Sequence, residues 1–329
     1  MSALQALVDP ETAGDPMSAQ KWVRSSLRHL SRQLTAAGHP VSHQTVGRLL
    51  TDLDYALHVN AKKIEARATH PDRDAQFSYI ATQRQVFQAA NLPIISVDTK
   101  KKEVIGNFKN AGQVWSREAD AVNVHDFLSE GQGRAVPYGI YDVTANRGSV
   151  YVGASGDTPQ FAVEAIARWW EGTGRPIYPD ADHLLILADG GGSNGCRPRL
   201  WKQQGQERVC DRLGLTVTVC HYPTGCSKWN PIEPRLFSQI SLNWVGKPLR
   251  TWETMLGYIR ATTTATGLAV DACLLDGVFP TGQSVSDAAM QALRLDRHDV
   301  CPTWNDTLRP RLPMLPDPVA ESECREVIP

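Results

Sequence analysis

The sequence predicts an α/β protein in which a mixed sheet is flanked by helices and preceded by an all-α region. Three observations carry this. After Pro93 come four strand-like runs, IISVD, EVIGNFK, VPYGIYDV and SVYVGAS, each apolar or alternating and bounded by turn formers. Helical and strand-like stretches then alternate from TPQFAVEAIARWWEG to PRLFSQISLNWVG, which sets helices on the faces of the same sheet. Ahead of Pro93, apolar residues recur at helical spacing.

Residues 1–20 are rich in Pro, Gly, Asp and Ser and are expected to be loose. Next, WVRSSLRHLSRQLTAAG reads as a helix with Leu27, Leu30 and Leu34 on one face and Gly38 as its stop. His39 and Pro40 turn the chain. Ser42 then caps a second helix, SHQTVGRLLTDLDY, with Val46, Leu49, Leu50 and Leu53 aligned. Two short amphipathic helices across a tight turn, within residues 21–67, make a helix-turn-helix pattern. The second helix of such a pair enters the major groove, so His43, Gln44, Thr45 and Arg48 are candidate DNA contacts. Between Lys21 and Arg67 eight basic side chains face three acidic ones, a local excess suited to a polyanion on a chain of formal charge −1. A solvated helical hairpin is the plainer alternative.

Residues 68–92 read as a linker and helix, and 93–246 as the α/β domain. Within the latter, HLLILAD and LTVTVCHYP are strands separated by the helix RPRLWKQQGQERVCDRLG. Residues 247–329 form a mixed extension that packs on or follows this core. With 329 residues, 42% hydrophobic and 21% charged, the composition is that of an ordinary globular protein. No apolar run nears the ~20 residues that span a bilayer, and the N-terminus lacks the regions of a signal peptide, so a cytoplasmic protein without a membrane partner is expected. Seven scattered cysteines, never spaced C-x-x-C, read as reduced structural thiols rather than zinc ligands.

The stretch LLILADGGGSNG holds a G-x-G-x-x-G (Gly190, Gly192, Gly195). A dinucleotide fold wants that loop after the first strand of its βαβ unit, with an acid ending the next strand. Here the loop follows a late strand, and the next one ends in His221 and Tyr222. The other reading leaves Asp189 as a carboxylate at the end of a buried strand. Asp98 stands likewise in IISVDTKKKE, and Glu233 opens a following helix in SKWNPIEPRLFS. Open α/β sheets carry their sites at C-terminal strand ends. Three carboxylates gathered there suit a pair of Mg²⁺ ions and an in-line displacement at a phosphodiester. Gly190 and its neighbours would let the backbone of a nucleic acid approach, and Lys100, Lys101 and Lys102 are candidates for flanking phosphates. Asn194, His221 and Asn230 are expected to steady the surroundings of the carboxylates. For His221 a supporting or phosphate-binding part is favoured over that of general base.

DTKKKE, ADGGGSNG and HYPTGCSKWNPIEPRLFS resemble the three acidic-residue motifs of the ISAzo-type DDE transposases of bacterial insertion sequences, distant relatives of the Tc/mariner group. GDPMSAQKW, VSHQTVGRLL, HPDRDAQF, IGNFKN, VHDF, GKPLRTWE, ATTTATGL and PTGQSVSDA extend the similarity nearly end to end. The resemblance implies an RNase H-like catalytic domain behind a DNA-binding helix-turn-helix, with Asp98, Asp189 and Glu233 as the metal-binding triad. It implies two Mg²⁺ or Mn²⁺ ions as cofactor, and terminal inverted repeats and target DNA as partners. The freed 3′-hydroxyl would attack the target, and pairing two ends implies a homodimer or higher assembly on the bacterial nucleoid. Two departures stand out: Pro234 replaces a family histidine, and relatives carry more sequence before GDPMS. Because the residue before proline disfavours the α region, the helix is expected to begin a turn later and leave Glu233 outside it. The departures also raise an alternative, a catalytically decayed copy that only binds DNA.

Overall fold

The computed structural model describes residues 2–14, 21–23, 25–55, 70–114, 116 and 118–311. The chain divides into two compact units, Met1–Ala66 and Arg67–Pro329. In the first, α1 (Ser2–Glu11) leads through a ribbon of β1 (Thr12–Gly14) and β2 (Lys21–Val23) to α2 (Leu27–Ala36) and α3 (His43–Thr51). Both later helices are capped as their sequences require. Ser26 Oγ accepts from the His29 N–H at 3.2 Å, and Ser42 Oγ from the Thr45 N–H at 3.2 Å. Gly38, at φ +83°, ends α2. Over residues 2–14 the chain is ordered rather than loose as expected, while residues 15–20 lie outside the described residues. Leu4 and Val8, one helical turn apart, are buried with Leu30, Leu34 and Val46, and that apolar stripe orders α1 despite its composition. Of the basic cluster, Arg24, Lys62, Lys63 and Arg67 lie outside the described residues.

The second unit begins with α4 (Arg73–Ala89), then β3 (Ile94–Thr99), β4 (Glu103–Ile105), β5 (Gly133–Asp142) and β6 (Arg147–Gly153). Next come α5 (Pro159–Trp169), continued by a wide turn into α6 (Arg175–Ile177), then β7 (His183–Asp189), α7 (Arg199–Gln204) and β8 (Thr216–Tyr222). A wide helical turn, Glu233–Phe237, runs into α8 (Ser238–Asn243) and is followed by α9 (Trp252–Arg260), β9 (Ala269–Leu274), α10 (Asp287–Gln291), β10 (Leu295–Arg297) and β11 (Asn305–Leu308). Nine strands form one mixed sheet in the order β10-β11-β8-β7-β3-β5-β6-β9, with β4 paired to β5. This is the expected α/β architecture of a mixed sheet between helices. It does not stop at Gly246, however: β9 closes one edge, and β10 with β11 closes the other.

Strand directions decide where chemistry can gather. β3, β7 and β8 are mutually parallel, and β5 runs antiparallel to both β3 and β6. Because β6 therefore points with β3, and β9 pairs parallel with β6, the C-terminal ends of β3, β6, β7, β8 and β9 all lie on the same side of the sheet. Side chains alternate between faces. Ile95 and Val97 of β3, with Leu184, Ile186 and Ala188 of β7, pack against α5 and α7. Ile94, Leu185 and Leu187 point the other way, to α4. On that second face the segment from Ile232 to Ile240 and α9 cover β5 and β6 through Leu236, Phe237, Met255 and Ile259. No helix among the described residues is long and apolar enough to cross a membrane. The six described cysteines are free, burial pushes the Cys210 and Cys220 thiols up to about 12, and Cys324 lies outside the described residues.

Candidate active site

By the same alternation, Asp98 projects with Ile94 and Ser96, and Asp189 with Leu185 and Leu187, onto the second face. The parallel register pairs Val97 with Ala188, so the next residues, Asp98 and Asp189, stand side by side where the strands end. On its other flank Asp98 is paired with Gly139 of β5. A Cβ on Gly139 would lie 2.4 Å from Phe237 Cε1 and 2.9 Å from Ile232 Cδ1. Its absence lets the segment carrying Glu233 settle directly on the sheet.

Glu233 lies inside the helical run Glu233–Phe237, which corrects the expectation that it falls a turn ahead. Its N–H donates to the Asn230 carbonyl at 3.0 Å, and the Arg235 N–H donates to Pro231 O at 3.1 Å. Pro234 occupies the first turn, where a missing N–H costs no intrahelical bond, and the wide turn accommodates its ring.

The three carboxylates sense one another. Burial, then the charge of Asp189, with smaller effects of Glu233 and Asp157, push the Asp98 carboxyl up to about 7, against the Thr99 N–H, which donates to it at 2.7 Å. Burial raises Asp189, which the Asn230 amide partly offsets. Burial and Asp189 raise Glu233, which Lys100 partly offsets. Crowded, half-buried acids of this kind fit a divalent cation, whose charge would remove the mutual repulsion. Among the described residues no three His, Cys, Asp or Glu side chains close around a single ion.

A family model described as the Rhodopirellula transposase DDE domain matches residues 3–310. The chain belongs to this transposase family. No curated protein matches it. Solved structures similar to it include a Mos1 transposase paired-end complex with left transposon end, at 13% identity over 78% of this chain and 69% of that one, TM-score 0.41. A pre-cleavage Mos1 transpososome gives 13%, 78%, 69% and 0.42, and a Mos1 mariner paired-end complex with Mn gives 14%, 78%, 69% and 0.40. Overlaps this slight say nothing about chemistry.

Around Asp98, Asp189 and Glu233, the lysines divide. Lys100 is turned inward, 8% exposed, with Nζ 3.0 Å from Glu103 Oε1 and 4.5 Å over the Trp244 ring. Its ammonium is thus already engaged, while Lys101 and Lys102 are exposed. A cleft of about 460 Å³ opens beside Glu233, floored by Phe237 and Trp244. It shares Lys101 and Asn110 with a second cleft, of about 400 Å³, that Lys102, Lys109 and Arg134 line.

His221 is buried, and burial holds its imidazole below the usual range. Its ring nitrogens lie 2.9 Å from the Asn194 carbonyl and 3.0 Å from that of Trp304, so it ties the glycine loop to β8 and the neighbouring edge. Shut away from solvent, it has no access to a phosphate. In the loop, a Cβ on Gly190 would stand 3.0 Å from Tyr222 O, and Gly192 takes φ +77°. Asn194 is buried with its side-chain amide nitrogen unbonded among the described residues. In the first unit, Gln44 and Arg48 are exposed one turn apart on α3, and Thr45 Oγ1 is held by Ser42 Oγ at 3.0 Å. His43 is half-buried.

Sequence reasoning missed Asp157, Ser96, Lys109 and Arg134. Asp157 follows β6, whose end lies with those of β3 and β7, and Thr99 Oγ1 donates to it at 3.0 Å. The run SVYVGASGD carried that signal. Ser96 carried none.

Proposed function

We propose that the transposase cuts DNA at the ends of its element and joins them to target DNA, with Asp98, Asp189 and Glu233 as its catalytic carboxylates. One observation supports this above all: Asp98 and Asp189 stand side by side on one sheet face, beneath the segment that carries Glu233. The three carboxylates would hold two Mg²⁺ or Mn²⁺ ions, which supply Lewis acidity for in-line displacement at phosphorus. Lys100 partly offsets the rise that burial and Asp189 impose on the Glu233 carboxyl. Lys101, Lys102, Lys109 and Arg134 line the clefts that lead away from the acids and take phosphates of the bound strand. Gly190 and Gly192 leave space for its backbone.

In this reading residues 21–67 are the DNA-reading module, with Gln44 and Arg48 reaching bases or phosphates and His43 and Thr45 beside them. Residues from 93 onward form the catalytic unit. The working complex, bringing two ends together on the nucleoid, is a homodimer or higher. A copy that only binds DNA is the rival reading, but Pro234, its main motive, fits the first turn of its helix.

The test is cutting of a duplex carrying the flanking inverted repeats, with Mg²⁺ or Mn²⁺ and in EDTA. Metal-dependent nicking is expected, lost in Asp98→Asn, Asp189→Asn and Glu233→Gln. Undiminished cutting in those variants would reject the triad. Salt-sensitive end binding with no cutting by the unaltered chain would favour the rival.

A further inference from the structure

Asp98, Asp189 and Glu233 arrive on three separate segments, and one buried side chain on the Glu233 segment bonds to both of the others. Asn230 is fully buried between β3, β7 and the Glu233 turn. Its Nδ2 donates to the Val97 carbonyl, next to Asp98, at 3.2 Å and to Asp189 Oδ1 at 3.1 Å. Its Oδ1 accepts from the hydroxyl of Ser96, also fully buried. Ser96 Oγ in turn accepts from the Ile232 N–H, next to Glu233, at 2.9 Å. Both amide hydrogens, the amide oxygen and the hydroxyl are therefore used. Rotating the amide by half a turn would set its oxygen against a carbonyl and a carboxylate, so its orientation is fixed. Engaging Oδ1 of Asp189 leaves Oδ2 as the oxygen not held by this amide.

We infer that Ser96 and Asn230 are a pair of positioning residues that lock the Glu233 turn to β3 and turn the Asp189 carboxylate toward the metal site. This rests on the carboxylates being metal ligands, as proposed above. Hydrogen-bonded supports of metal-binding side chains typically set affinity by 10–100-fold. Removing the Ser96 hydroxyl leaves the Asn230 oxygen and the Ile232 N–H without partners, and the turn is no longer tied to β3 at the residue before Glu233.

The experiment titrates the purified full chain with Mn²⁺, without DNA, by electron paramagnetic resonance, and follows cutting of inverted-repeat DNA against Mn²⁺ concentration. Folding is checked by thermal melts. Ser96→Ala and Asn230→Ala are expected to weaken Mn²⁺ binding at least tenfold and to raise the Mn²⁺ concentration for half-maximal cutting by a similar factor. Ser96→Thr, which restores the hydroxyl, is expected within about threefold of the unaltered chain. If Ser96→Ala fails to fold, Asn230→Ala is read in its place, with Ser96→Thr as the retained control. Folded alanine variants that bind Mn²⁺ as the unaltered chain does would overturn the clasp alone. An unaltered chain without Mn²⁺ binding, or one whose binding Asp98→Asn leaves intact, would overturn the metal-site reading and the clasp together.

Discussion

With its carboxyl raised to about 7, Asp98 in the metal-free protein keeps a proton that an unfolded chain releases near pH 4. Between those values the native state binds the extra proton, so this group's contribution to stability falls as pH climbs through the window and is level above it. Asp98→Asn cannot ionise. It is therefore expected to raise the melting temperature in EDTA by several degrees at pH 8 and hardly at all at pH 4, and an equal rise at both would contradict the assignment. Metal must displace the same proton, so Mn²⁺ affinity should strengthen as pH rises toward 7, by up to about tenfold per unit, and then level off. The neighbouring lysines offer a second contrast. Lys100→Met leaves the partly buried Glu103 carboxylate unpaired and is expected to cost about 1–3 kcal/mol in denaturant unfolding. Lys101→Ala, at an exposed position, should cost less than about 0.5 kcal/mol.

At the scale of elements, the Glu233 turn depends on what the sheet lacks beneath it. Gly139→Ala drives a methyl group into Phe237 and Ile232, both buried, and is expected to destabilise the fold by about 1–3 kcal/mol while displacing Glu233. Cutting should fall further than stability alone explains, which a rate measured well below the melting temperature would check. Pro234→Ala, by contrast, should shift stability by less than about 1 kcal/mol. Elements were legible in the sequence where burial is apolar and local. The runs before Asp98 and Asp189 mark buried strands, and Ser42 and Gly38 bound their helices as their chemistry dictates. β11 was not legible, because Asn305, Asp306 and Thr307 are polar yet buried, satisfied by partners far away in sequence such as Gln76, Lys202 and Thr218. The sequence marks Asn230 only as a residue that steadies the surroundings of the carboxylates, and the reach of its amide is visible only where three distant segments meet. The helical state of Glu233 ran against the local preference before proline, and tertiary packing decided it.

For the whole molecule, a chain ended at Gly246 would lose β9 from one edge of the sheet and β10 with β11 from the other. It is expected to be insoluble or to lack dispersed amide resonances, since β6 and β8 would present long unpaired edges. A soluble, cooperative fragment would show the extension to be dispensable. The strands that bear Asp98 and Asp189 sit mid-sheet, and the edge that shields them from one direction is supplied by residues 295–308. During synthesis those residues leave the ribosome well after the acids do, at a pace of about 5–20 residues per second. The gathering of the three carboxylates is thereby delayed until most of the polypeptide exists, and a ribosome stalled short of β11 would display the acids without the sheet edge that completes their scaffold.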